Sequence, residues 1–200
     1  MTQALKRFSD LFTAATALIL LSPVLALIAV AIRIESPGPA LYVDERVGLN
    51  GRNFRAYKFR SMTVGARQRG LGLEVARDDD RITRTGRFLR TWSLDELPQL
   101  INVLLGDMSL VGPRPTVPSQ VARYTDAQRR RLAVRPGITG LAQVSGRNAI
   151  PWSRRIELDL HYVDHWSIRL DLRILWRTLA VVIRRTGLYG PDGVARDLDG

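Results

Sequence analysis

The sequence predicts an α/β protein, mainly helical with a small β-hairpin, attached to a membrane through its N-terminal helix. Three observations carry this. A charge-free apolar run occupies residues 11–32. Two short alternating segments flank an Asn-Gly turn at Asn50-Gly51. Later segments repeat apolar residues at helical spacing.

The N-terminal run is long enough to cross a bilayer, which takes about 20 apolar residues. A cleaved signal peptide, a plain spanning helix and a helix that enters the membrane, bends and returns all remain open. The run is long for a signal peptide and shows no clear cleavage site before a polar start. Ser22-Pro23 lies at its middle, where proline removes a backbone donor and serine can satisfy a freed carbonyl. Lys6, Arg7 and Arg33 flank both ends, so charge sets no orientation and permits both ends on one side.

Ser36-Pro37-Gly38-Pro39 ends the first helix. Residues 40–47 and 54–62 read as strands of a hairpin, since Asn-Gly accepts the positive φ angles such a turn requires. Residues 63–81, with Gly70, Gly72 and Asp78-Asp79-Asp80, read as a mobile loop. Residues 85–105 read as mostly helical, interrupted near Ser93 and Pro98. Ser93 stands as an N-cap with Glu96 at capping-box spacing. Residues 117–132 form a polar helix ending in Arg129-Arg130-Arg131, and 150–166 a further helix. Residues 170–183 form a basic amphipathic helix whose stripe (Leu172, Leu175, Trp176, Leu179, Val182, Ile183) faces either a membrane interface or the core. Residues 187–200 read as a mobile tail.

Composition narrows the chemistry. At 200 residues the chain fits one domain. It has no cysteine, which excludes disulfides and thiol nucleophiles, and only two histidines, His161 and His165. The net charge is +11, and Lys6 and Lys58 are the only lysines. An arginine-dominated balance points to a polyanionic partner: nucleic acid, an anionic membrane surface or a phosphorylated substrate. There is no Walker A motif, G-x-G-x-x-G, H-E-x-x-H or G-x-S-x-G.

Asp95-Glu96 is the best chemical candidate. Adjacent carboxylates at a helix start are stabilised as anions by the helix dipole, which is also how plain first-turn acids behave. Arg84, Arg87, Arg90 and Arg114 lie near in sequence, and Lys58 sits in a predicted strand. Gly112-Pro113-Arg114-Pro115 fixes an arginine between two prolines, a preset anion clamp or simply a tight turn.

Taken in order, KRFSD with the apolar run, SPGPALYVDERVGLNGR, YKFRSM, SLDELPQLINVLLGDMSLVGPRP, RPGITGLAQVSGRN and ELDLHYVDHWSIRLDLRIL cover nearly the whole chain. In this set the chain resembles the bacterial sugar transferases known as monotopic phosphoglycosyl transferases, in their small PglC-type form.

The resemblance implies a re-entrant membrane helix over 1–34 broken at Ser22-Pro23, a catalytic domain over 35–186 on the cytoplasmic face of the bacterial inner membrane, and interfacial amphipathic helices. It implies transfer of a sugar 1-phosphate from a UDP-sugar to undecaprenyl phosphate, with magnesium, through an aspartyl-phosphosugar intermediate that releases UMP. This would be the first membrane step of glycoconjugate assembly, ahead of downstream glycosyltransferases. The nucleophile falls at Asp95, also the implied metal ligand, with Glu96 as its dyad partner. Lys58, Arg90, Arg114 and Asp159 take phosphate-binding or supporting roles, and Arg147 and Asn148 lie toward the nucleotide. The arginine-rich surroundings depart from the family's usual acidic character there. The competing expectation is a membrane-tethered basic nucleic-acid-binding or scaffold protein, but no nucleic-acid-binding motif supports it.

Overall fold

The computed structural model describes residues 3–195. Helix α1 runs Gln3–Glu35. Strands β1 (Leu41–Val47) and β2 (Asn53–Phe59) follow as an antiparallel hairpin, with Leu41 opposite Phe59 and Val47 opposite Asn53. Then come β3 (Val75–Ala76), α2 (Arg84–Thr91), α3 (Gln99–Leu105) and β4 (Ser109–Val111). Two single-turn helices, α4 (Pro118–Val121) and α5 (Asp126–Arg129), precede β5 (Gly137–Thr139) and α6 (Leu141–Val144). The longer α7 (Trp152–Asp164) and α8 (Ile168–Arg184) lead to β6 (Val194–Ala195). Strand β4 pairs parallel with β5, and β3 antiparallel with β6.

The hairpin forms as expected, with Asn50 at φ 54° and Gly51 at φ 77°. The segment 85–105 is interrupted where expected, near Ser93 and Pro98. Between α2 and α3 the chain makes a 3₁₀ turn over Leu94–Glu96, and Ser93 enters it in the left-handed region at φ 55° with no capping bond. The expected capping box is therefore absent, because the Glu96 carboxylate is claimed by cations from elsewhere in the fold. The segment 117–132 likewise breaks into α4, α5 and a 3₁₀ turn over Arg130–Ala133.

Helix α1 continues through Pro23. Proline withholds the donor that would have met the Ile19 carbonyl, and the Ser22 hydroxyl supplies one instead at 2.8 Å. Helical hydrogen bonding therefore continues across Ser22-Pro23, the place of the expected break. Both ends of α1 are held by the same domain. Near its start, Lys6 pairs with Asp171 at 2.6 Å, and buried Asp10 accepts from Ser109 Oγ and Leu110 N. Ala14 packs with Leu100, Val103 and Met108. Near its end, Ile32 packs on Phe59 and Leu89, burial worth roughly 1.5–3 kcal/mol per side chain. Glu35 accepts from the Arg84 and Thr85 amides, so its carboxylate caps the N-terminus of α2. Ile19, Leu20 and Leu27, around the Ser-Pro step, are exposed.

Helix α8 turns Asp171, Ile174 and Thr178 inward, while Leu172, Trp176, Leu179 and Ile183 face outward. Most of the apolar stripe therefore lies away from the core.

The loop 63–81 is organised around one side chain. The Arg81 guanidinium pairs with Asp79 and donates to the carbonyls of Ala66, Arg69, Gly72 and Glu74. The tail expected from residue 187 follows a defined path as far as Ala195. Gly187 O and Leu188 O accept from Asn148, and β6 joins β3. The remainder of that tail, 196–200, lies outside the described residues.

Candidate active site

A cavity of about 740 Å³ opens between the hairpin, the loop 63–76, the turn at Asp95 and the first half of α7. Ligand sites typically run from about 300 to 1,000 Å³, so it has room for a molecule of nucleotide-sugar size. Lys58, Arg90, Asp95, Arg114, Arg147, Asn148 and Asp159 all line it.

Two glycines set two of the cations. A Cβ at Gly86 would lie 1.9 Å from the Ser61 carbonyl, so only glycine lets α2 press against that backbone and direct Arg90 toward Ser61 Oγ, 3.4 Å away. A Cβ at Gly112 would lie 2.4 Å from the Arg135 carbonyl. The GPRP loop thus packs against the RPG turn and carries Arg114 to the cavity. Lys58 is placed by β2, which buried Asn102 on α3 clasps, accepting from Tyr57 N and donating to Arg55 O.

The two adjacent acids have opposite surroundings. Glu96 is buried and fully engaged: Lys58 Nζ donates to Oε1 at 3.0 Å, and Arg114 donates to Oε1 at 2.8 Å and to Oε2 at 3.3 Å. Burial alone would raise its pKa, but Arg114 and Lys58 hold it well below the usual carboxylate range. Asp95 makes no hydrogen bond or ion pair with any described residue. Burial and the neighbouring Glu96 charge raise its pKa, against the pull of Lys58, Arg90 and Arg114. Burial also pulls Lys58 below the ordinary lysine value, with Glu96 opposing.

The other predicted residues are placed as follows. Arg147 donates to Ser93 Oγ at 3.1 Å, beside the Asp95 turn. The Asn148 amide is used within the wall: Nδ2 donates to Leu188 O and Oδ1 accepts from Arg155. Buried Asp159 pairs through Oδ2 with Arg131 at 2.5 Å. Arg84 and Arg87 are exposed and do not line the cavity. Ser22 and Pro23 are exposed on α1, also outside the cavity.

Sequence reasoning missed Arg131. It sits 3% exposed, bonds the Tyr124 hydroxyl and the Arg114 carbonyl, and lies over the Trp152 ring. Nothing in the run Arg129-Arg130-Arg131 marks the third arginine as the buried one. Gln143 was also missed. Many arginines serve the main chain: Arg60 bonds Ser36 O and Pro37 O, Arg135 bonds Gly106 O, and Arg177 bonds Val144 O. The high positive charge is therefore partly architectural.

A magnesium ion in this cavity would take most of its ligands from the phosphate oxygens of a bound molecule and from water. Among the described residues no three His, Asp or Glu side chains converge on a metal site. Asp95 has oxygens to offer, whereas Glu96 has none to spare. A single carboxylate with phosphate oxygens and water is a usual magnesium environment.

The family model described as bacterial sugar transferase matches residues 1–185. The chain is 47% identical over 194 residues to the uncharacterized sugar transferase EpsL of Bacillus subtilis, covering 96% of this chain and 94% of that one. It is 44% identical over 200 residues to the undecaprenyl-phosphate galactose phosphotransferase of Salmonella typhimurium, covering 92% of this chain and 42% of that protein. It is 42% identical over 182 residues to the UDP-glucose:undecaprenyl-phosphate glucose-1-phosphate transferase of Klebsiella pneumoniae, covering 87% of this chain and 39% of that protein. The chain thus spans nearly all of the Bacillus relative and about two fifths of the other two.

Proposed function

The chain belongs to the bacterial sugar transferase family, and on that premise we propose that it is a polyprenyl-phosphate phosphoglycosyl transferase acting on a UDP-sugar and undecaprenyl phosphate. The observation that carries the site assignment is the contrast within one dipeptide. Glu96 is neutralised by Lys58 and Arg114, and the Asp95 side chain beside it has no partner among the described residues, in a cavity lined by cations.

In this reading an Asp95 oxygen attacks the β-phosphorus of the UDP-sugar. The bond from that phosphorus to the bridging oxygen breaks, and UMP leaves with the oxygen and its electron pair. A phosphosugar remains on Asp95. An oxygen of the polyprenyl phosphate then attacks the same phosphorus and frees the Asp95 carboxylate. Arg90, Arg114, Arg147 and Lys58 lower the repulsion between an anionic nucleophile and an anionic diphosphate. Magnesium bound by Asp95 and the phosphate oxygens would supply further charge neutralisation. Arg131 holds Asp159 in the wall and braces the Arg114 main chain. A nucleophile raised by burial and a like charge is more basic and correspondingly more reactive once ionised.

The same reading puts the protein at the cytoplasmic face of the inner membrane, with α1 re-entrant. Lys6 and Ile32, near the two ends of α1, both touch the one domain, as a helix that bends and returns to one face requires. A spanning helix would separate these anchors across a hydrocarbon core of about 30 Å, beyond reach of a domain on one face. The outward apolar face of α8 suits the interface where a lipid phosphate meets a soluble nucleotide sugar.

The test is UMP release by nanodisc-held protein given magnesium, undecaprenyl phosphate and a panel of UDP-sugars, with mass detection of a phosphosugar adduct on the peptide bearing Asp95. Folded protein that releases no UMP from any donor sinks the reading. For topology, tags at both termini should be accessible from the cytoplasm only; opposite accessibility would restore a spanning helix.

A further inference from the structure

Among the described residues, the buried side-chain nitrogens and oxygens without a hydrogen-bond partner belong to Arg60, Arg131, Gln143 and Asp159. All four side chains line the cavity. Arg60, Arg131 and Asp159 each use other polar atoms within the fold. Gln143 does not: its Nε2 and Oε1 are both buried and both without a partner.

Its placement is well defined. Gln143 lies on α6 between buried Ala142 and Val144, and Arg177 pins the Val144 carbonyl at 3.0 Å. Four residues on, Arg147 bonds Ser93 beside the Asp95 turn, so the Gln143 wall adjoins the reacting end of the cavity. The unpartnered Asp159 Oδ1 lines the same cavity from α7. A glutamine amide presents an NH2 donor group beside a carbonyl acceptor, has no charge, and costs stability when buried unpaired. In a cavity wall such a group takes its partners from water or from a bound ligand, and a ligand with matching groups gains by replacing the water.

We infer that Gln143 is a specificity-determining residue that reads a neutral donor–acceptor pair on the donor substrate. This rests on the transferase reading above. Two parts of a UDP-sugar present such a pair: the imide edge of uracil, with N3–H beside a carbonyl oxygen, and neighbouring hydroxyls of the hexose. The cations around Asp95 suit the diphosphate, whereas an uncharged amide suits one of these flanking groups.

The experiment uses the full chain in nanodiscs, with Gln143→Met as a shape-matched apolar replacement and Gln143→Glu as a second variant that keeps the acceptor and loses the donor. Melting temperature is measured without ligand, UMP affinity by calorimetry, and KM and kcat by UMP release across the UDP-sugar panel. For Gln143→Met the melting temperature is expected to hold or rise, since an unpaired buried amide has been removed. The KM should rise roughly ten- to a hundred-fold, the loss of one or two hydrogen bonds, with kcat changed much less. Gln143→Glu should raise KM as well. If UMP affinity weakens alongside KM, the amide reads the base; if it is unchanged while KM rises, the amide reads the hexose. KM and UMP affinity both within two-fold of wild type would overturn the inference, as would a fall in melting temperature with KM unchanged. Wild-type protein that releases no UMP at all would instead overturn the transferase reading on which the inference stands.

Discussion

Two arginine-and-aspartate regions of this molecule look alike in sequence and do opposite work. In the loop 63–81, Asp79 and Arg81 form a closed pair, and the remaining donors of Arg81 are taken up by main-chain carbonyls. At the Asp95 turn, Lys58 and Arg114 satisfy Glu96, while the Asp95 side chain beside them has no partner among the described residues. The difference teaches that charge composition does not separate architecture from chemistry. What separates them is whether every charged group has its partner inside the protein. A closed network resists change, whereas an open carboxylate facing a cavity holds its capacity for a ligand.

The largest effect expected on breaking this contrast is at Asp95. Asp95→Asn should lower turnover at least about a thousand-fold and abolish the phosphosugar adduct, read by UMP release and mass spectrometry. It should not destabilise the fold. The folded pKa of Asp95 is raised, so its contribution to stability is present at low pH and lost as pH rises through that folded value. The variant should therefore melt at or above wild type at neutral pH, with the gap closing in acid. An adduct that still forms would remove Asp95 from the role.

Next comes the closed pair. Arg81→Ala removes the cation paired with buried Asp79 and leaves it only main-chain donors such as the residue 81 amide, and should cost about 3–5 kcal/mol in chaotrope unfolding. Arg81→Lys should recover only part, since a point charge does not reproduce five donors in a fork. A loss below 1 kcal/mol would show that the loop does not depend on Arg81.

Glu96→Gln sharpens the contrast. It removes the like charge that raises Asp95 and frees Lys58 and Arg114 to lower it further. The acid limb of the pH–rate profile should move to lower pH. The maximum rate should fall roughly a hundred-fold, as when a reacting group is displaced by about an ångström. An acid limb that moves upward would contradict this assignment of charges.

The smallest effect belongs to Arg87. It lies close in sequence to Arg90, yet it is exposed and only 3.9 Å from an exposed Asp78 carboxylate. Arg87→Ala should change stability by at most about 0.5 kcal/mol and leave KM unchanged.

The helical character of the chain, its hairpin and its Asp95-Glu96 pair were legible in the sequence because each rests on neighbours along the chain. An unbroken apolar run, an Asn-Gly turn and two adjacent acids are all local signals. The ordered motifs carried the family for the same reason. The capping box predicted from Ser93 and Glu96 was also local, and it failed because Lys58 and Arg114 offer Glu96 charged partners that Ser93 cannot match.

By itself, then, the sequence determined the apolar helix, the hairpin, the acidic pair and the family. Only the tertiary structure decided which acid is neutralised, which arginine of Arg129-Arg130-Arg131 is buried, that one domain grips both ends of α1, and that Gln143 faces the cavity with its amide unpaired among the described residues. The physical reason is range. Backbone propensity and turn chemistry act over a few residues, whereas the partner of a buried charge is whichever group the packed chain brings within about 3 Å.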